Sequence, residues 1–73
     1  MELFSVTQFF VDGSYETVVT SVPAAQAVTT VRGLITSLGC KLGTTQRVII
    51  TDEWDCTNFE WQYGKGVTFP VGE

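Results

Sequence analysis

The Asp12-Gly13 pair limits the possible folds of this chain more than any other part of its sequence. It lies between residues 3–11 and 14–20, two runs rich in β-branched and aromatic residues, which favour strands. A two-residue type I′ turn needs positive φ at both central positions, and Asp-Gly adopts it readily. The sequence therefore predicts an antiparallel hairpin. Its predicted register pairs Val11 with Ser14, Phe10 with Tyr15 and Val6 with Val19.

Alternation along the two strands divides the predicted hairpin into two faces. The core face carries Phe4, Val6, Phe10, Tyr15 and Val19. The apolar residues of the other face are Leu3, Phe9, Val11 and Val18, which lie among Ser, Thr and Glu. One helix cannot cover both sides of a sheet, and an exposed apolar patch usually marks a partner. We therefore expect these four residues to bind a protein.

A helix is predicted after the hairpin. Ser21 is a suitable N-cap and Pro23 fits the first turn, where its missing N–H costs nothing. Gly39 is expected to end the helix as a left-handed cap. Apolar residues repeat at the three-and-four spacing of one helical stripe: Ala24, Ala27, Val28, Val31, Leu34, Ile35 and Leu38.

The opposite side of this helix is a line of small residues, namely Ala25, Thr29, Gly33 and Ser37. A mid-helix glycine costs about 1 kcal/mol relative to alanine. Close approach of another backbone would explain Gly33, so Thr29 and Gly33 are candidate partner contacts. The alternative is a tolerated glycine on a Thr-rich solvent face.

Strands are also predicted in the second half of the chain, at 47–51, 58–63 and 67–69. The pattern is ββαββ(β), and it predicts an α+β fold in which an antiparallel sheet carries one helix on one face. The 73 residues leave room for one domain and one modest core.

Phe59, Trp61 and Tyr63 alternate along one predicted strand, which allows two interpretations. Such rings can stack on single-stranded nucleic acid, or they can join the core. Nucleic-acid binders neutralise phosphates with clustered Lys and Arg, whereas this chain has four basic residues and a net charge of −4. The sequence favours the core and predicts no nucleic-acid partner.

Catalysis and cofactor binding are not expected. The chain has no histidine, the usual base beside a nucleophile. Cys40 follows a predicted helix C-terminus and Cys56 lies among Asp52, Glu53 and Asp55, so both surroundings disfavour a thiolate. The acidic loop lacks the ligand spacing and glycine of a calcium loop. The cysteines are predicted to be reduced thiols, with a Cys40–Cys56 bridge as the alternative.

The start Met1-Glu2-Leu3 carries an acid where a signal peptide carries Lys or Arg. No stretch reaches the roughly 20 apolar residues of a membrane helix. We therefore expect a cytoplasmic protein without a membrane partner.

Segments within residues 47–70, a stretch of about a third of the chain, resemble short uncharacterised proteins of bacteria and their phages: Arg47-Val48-Ile49-Ile50-Thr51-Asp52, Asn58-Phe59-Glu60-Trp61, Tyr63-Gly64-Lys65-Gly66-Val67 and Phe69-Pro70. The resemblance implies a phage or prophage origin and carries no activity. The sequence as a whole predicts a small non-catalytic domain that binds another protein or itself as a homodimer. A phage-encoded inhibitor of a host protein or defence complex would fit this description. A single-stranded nucleic-acid binder and a small metal-binding domain remain the alternatives.

Overall fold

The computed structural model describes residues 2–69, which form five strands and two helices. In chain order these are β1 (Phe4–Phe10), β2 (Tyr15–Val22), α1 (Ala24–Ile35), α2 (Leu38–Leu42), β3 (Thr45–Thr51), β4 (Thr57–Gln62) and β5 (Gly66–Phe69). All the strands belong to one antiparallel sheet of order β2-β1-β3-β4-β5. The main helix, α1, packs on one face of this sheet. The predicted α+β fold is confirmed.

The first hairpin closes through a three-residue turn rather than the predicted two-residue turn. The Phe10 N–H donates to the Ser14 carbonyl at 2.8 Å, and the Gly13 N–H donates to the Phe10 carbonyl at 3.0 Å. Gly13 alone takes the left-handed conformation, with φ of +91°. The Asp12 carboxylate accepts hydrogen bonds from the backbone N–H and the hydroxyl of Ser14. This is a type I turn followed by a left-handed glycine, so the predicted pairing of Val11 with Ser14 is wrong.

A β-bulge in β2 then changes the register a second time. Tyr15 pairs with Phe9, so its predicted pairing with Phe10 is wrong by one residue. Val6 nevertheless pairs with Val19 as predicted, because Val18 is the extra residue of the bulge. The three-residue turn, rather than the bulge, moves Tyr15 to the face of Phe9, so the predicted place of Tyr15 on the core face is wrong.

The entry into α1 also differs from the prediction. β2 continues to Val22, and Ser21 belongs to this strand with φ of +55°. Pro23 is the N-cap, and its side chain makes no capping hydrogen bond. The predicted N-cap Ser21 is therefore wrong by two residues.

The helical segment is divided where one helix was predicted. α1 ends at Ile35, and the side chain of Ser37 caps a second helix that begins at Leu38. Gly43, with φ of +87°, ends this short helix in the left-handed position that was predicted for Gly39. Leu38 is 70% exposed, so it lies outside the core stripe.

The core lies between α1 and the β1–β3 centre of the sheet. Its buried members are Val6, Ala27, Val31, Cys40, Val48 and Ile50. α1 packs mainly over β2, β1 and β3, which leaves β4 and β5 beside it. Within residues 2–69, no helix is long and apolar enough to cross a membrane.

Candidate protein-binding surfaces

The residues predicted to bind a partner do not form one patch on the face opposite α1, here called the open face. Phe9 lies on the open face, as its pairing with Tyr15 and Arg47 requires. Val18 packs against the core cluster instead, because a bulge changes the alternation of side chains. Val11 is 68% exposed in the hairpin turn, and Leu3 is half-buried before β1. The apolar surface expected from alternation is thus dispersed.

A polar network covers much of the open face around Phe9. The Arg47 guanidinium carbon lies 5.0 Å from the centroid of the Phe9 ring, a cation–π distance, and the Tyr15 ring lies 5.8 Å from the same centroid. Arg47 also pairs with Glu60, which accepts a hydrogen bond from Gln62 at 2.9 Å. These hydrogen bonds, first from Gln62 and then from Arg47, hold the pKa of Glu60 below its ordinary value. The open face is therefore largely a paired, polar surface.

The outer side of α1 presents the predicted small residues, but the described chain does not use them for close packing. Gly33 is exposed, and a Cβ built there would meet no described atom within 4 Å. The Thr29 hydroxyl donates to the Ala25 carbonyl at 3.0 Å. Thr29 and Gly33 therefore lie on an exposed face that carries little charge.

The aromatic strand β4 faces the helix side of the sheet. Phe59 pairs with Ile50 and Trp61 with Val48, and both rings pack against the core cluster. The core interpretation is confirmed for these two residues. Tyr63 differs, because it follows β4, is 44% exposed and lies against Gly43. The three rings do not form a common solvent-facing platform for stacking bases.

The acidic loop between β3 and β4 is organised by its first carboxylate. Asp52 Oδ1 accepts the backbone N–H groups of Trp54 at 2.8 Å and Cys56 at 3.0 Å. The Cys56 N–H bond contributes most to holding the pKa of Asp52 below its ordinary value, followed by the Asn58 side chain. The carboxylate thus shapes the turn. Cys56 is exposed, Cys40 is buried and both are free thiols, so the alternative of a bridge between them is wrong.

A groove on the other side of the sheet, between α1 and the β4–β5 half, was not predicted. We call it the helix-side groove. It consists of two adjoining cavities of about 300 and 280 Å³, which share Val28, Ile50 and Phe59. The first cavity is also lined by Phe4, Ala24, Ala27 and Asn58, and the second by Val31, Arg32, Ile35 and Val67. The sequence does contain one signal for this groove, since a single helix is too narrow for five strands.

Two valines form exposed walls of the groove. Val28 is 42% exposed on α1, and Val67 is 53% exposed on β5. Val67 pairs with Trp61, so it lies on the helix side of the sheet. Phe69 pairs with Glu60 because Thr68 is an extra residue in β5, and it therefore lies on the open face. The bulge separates two residues that simple alternation would place together.

No protein-family model, curated protein or solved structure matches this chain.

Proposed function

We propose that this chain is a non-catalytic protein-binding domain whose contact surface is the helix-side groove. The exposed apolar strip beside α1 carries the proposal, because an apolar concavity left open by the fold usually marks a binding site. Burying one valine side chain completely is worth about 1.5–3 kcal/mol. Val28 and Val67, each about half exposed, therefore leave part of that free energy available to a partner.

The chemistry of the chain supports a binding role over catalysis. A catalytic acid or base works best with a pKa near the operating pH. The pKa values of Asp12, Asp52 and Glu60 are instead lowered by hydrogen bonds, so these carboxylates are ionised at neutral pH. The sequence also lacks histidine. These groups act as hydrogen-bond acceptors that organise turns and the open face.

A homodimer through the open face is the alternative form of the same function. There, the exposed aromatic surface around Phe9 and Tyr15 would have to be buried together with the ion pair of Arg47 and Glu60. Burying an ion pair costs desolvation energy. The groove lining is apolar apart from Arg32 and Asn58, so less of that cost arises there. The groove is therefore the better surface. If the chain is of phage origin, as the resemblance implies, an inhibitor of a host protein would use this groove to hold its target.

Site-specific photo-crosslinking in the cells that encode the chain tests this proposal. A benzophenone amino acid replaces Val67 in the groove or, as the matched control, Tyr15 on the open face, where the side chain is 67% exposed. We expect a discrete protein adduct from position 67 and none of that mass from position 15. Identical adducts at both positions, or none at 67, would refute the groove. A covalent dimer formed only from position 15 would support the open-face homodimer.

A further inference from the structure

The uncovered strip of the sheet has the width of one helix. Neighbouring strands lie about 4.8 Å apart, so β4 and β5 together offer roughly 10 Å, and a helix with its side chains is about 10–12 Å wide. α1 already covers the other half of the same face. A second helix laid beside α1 would complete a two-layer structure in which the whole face is covered.

The lining of the groove suits the apolar stripe of such a helix. Phe59 and Ile50 take part in both cavities, and Val28 and Val67 form the walls. Helices that bind in grooves insert side chains from positions i, i+3, i+4 and i+7. The two adjoining cavities offer space for apolar side chains from successive turns of one bound helix.

Arg32 supplies the charge that such a helix would meet. Among residues 2–69 it is the one charged side chain that lines either cavity, and it lines the second cavity together with Val67. Within residues 2–69, the only ion pair is that of Arg47 and Glu60 on the open face. A carboxylate placed beside Arg32 would gain a charge-assisted hydrogen bond.

A second copy of this chain is a poorer occupant. If each α1 filled the groove of the other copy, the two-fold axis would run along the helices and between the two sheets. The helices would then be parallel, and Arg32 would face its own counterpart, which like-charge repulsion disfavours. The outer side of α1 also presents Ala25, Thr29 and Gly33, which are too small to fill the cavities.

An extended peptide added to β5 is also a poorer occupant. β5 has four residues, and the bulge at Thr68 interrupts its regular pairing. Bulges at an edge strand oppose the addition of another strand.

We therefore infer that the helix-side groove binds an amphipathic α-helix of a partner protein, with an acidic residue of that helix opposite Arg32. This inference rests on the proposed function, because it names the occupant of the same groove.

Selection from a random peptide library tests the inference. Displayed peptides of about 16 residues, long enough to span the groove as a helix, are selected on the wild-type chain and then counter-selected on the Val67→Asp variant. We expect enriched peptides to repeat apolar residues at three-and-four spacing and to carry Asp or Glu at one fixed position. Arg32→Glu should weaken their binding about tenfold and, on reselection, change the preferred residue to Lys or Arg. Lys41→Glu, which reverses an exposed charge outside the groove lining, is the matched control and should leave binding unchanged.

The possible outcomes separate the occupant from the function. Peptides that need Val67 but alternate apolar residues with period two would refute the helix while keeping the groove as the binding surface. Helical peptides that bind Arg32→Glu and wild type equally would refute the acidic contact. Enrichment that does not depend on Val67, or no enrichment, would overturn both the inference and the proposed function.

Discussion

Two glycines with nearly the same backbone conformation should respond very differently to an added methyl group. Gly43 ends α2 with φ of +87°, and Gly64 lies in the β4–β5 turn with φ of +82°. Alanine is disfavoured at such angles by about 1–2 kcal/mol, partly offset by the entropy that it removes from the unfolded chain. At Gly64, a Cβ meets no atom of residues 2–69 within 4 Å. We expect Gly64→Ala to cost about 1 kcal/mol.

Gly43→Ala should cost more because of Tyr63. A Cβ at Gly43 would lie 3.1 and 3.2 Å from two carbons of the Tyr63 ring, so the ring must move. Overpacking of this kind costs about 1–3 kcal/mol, which gives about 2–4 kcal/mol in total. A domain of this size has about 3–5 kcal/mol to lose, so Gly43→Ala should lie close to the unfolding threshold.

Urea unfolding followed by tryptophan fluorescence measures both effects, with Trp61 as the reporter that packs against the core. Thermal unfolding gives a second measure, since 1 kcal/mol corresponds to about 4–8 °C in a domain of this size. Tyr63→Ala combined with Gly43→Ala should cost about 1–3 kcal/mol less than the sum of the two single changes. Equal costs for the two glycine variants, or an additive double variant, would refute the role assigned to the Tyr63 ring.

Three further predictions follow from individual side chains. Cys40→Ala should cost about 1–3 kcal/mol because the thiol is buried, whereas Cys56→Ala should change stability by less than about 0.5 kcal/mol; unfolding by a reducing agent alone would contradict two free thiols. Because the pKa of Glu60 is lowered on folding, its contribution to the free energy of unfolding is present above the ordinary pKa of 4.5 and is lost as the pH falls from there through the folded value. Glu60→Gln should therefore flatten the stability profile in that range, and an unchanged profile would argue against the hydrogen bonds around this carboxylate. Phe9→Asp should remain folded, because Phe9 lies on the open face. Sedimentation tests the homodimer: if the wild type sediments at twice the 8.0 kDa chain mass and Phe9→Asp sediments as a monomer, the open-face homodimer is favoured over the groove.

The departures from regular strand pairing share one physical origin, which is the insertion of single residues into a regular pattern. Val18 in β2 and Thr68 in β5 are extra residues, and each changes which neighbours share a face. The predicted partner surface failed at Val18 for this reason. Nothing in the local sequence separates Val18 from Val19, because both are β-branched and both suit a strand.

The end of α1 shows the same limit of local reasoning. The apolar stripe continues to Leu38, and Gly39 is a good terminator, so the sequence favours one helix as far as that glycine. In the structure, Ser37 begins a second helix, and Cys40 of that helix enters the core. Gly39 as the end of one helix and Ser37 as the start of a second helix are locally comparable. Only the second arrangement is compatible with the burial of Cys40 between elements that are distant in the chain.

Local patterns in the sequence were enough to predict the number, order and type of the main elements. Period-two alternation, the Ala27–Val31 stripe and the Gly and Pro positions act over a few residues, and they gave five strands, the main helix and the α+β class. Only the folded chain reveals the strand order, the bulges and the half of the sheet that α1 covers. These depend on contacts between residues far apart in the chain, where competing arrangements bury similar side chains. The helix-side groove also depends on such distant contacts. Val28 and Val67 line a common surface because α1 leaves the neighbouring half of the sheet uncovered.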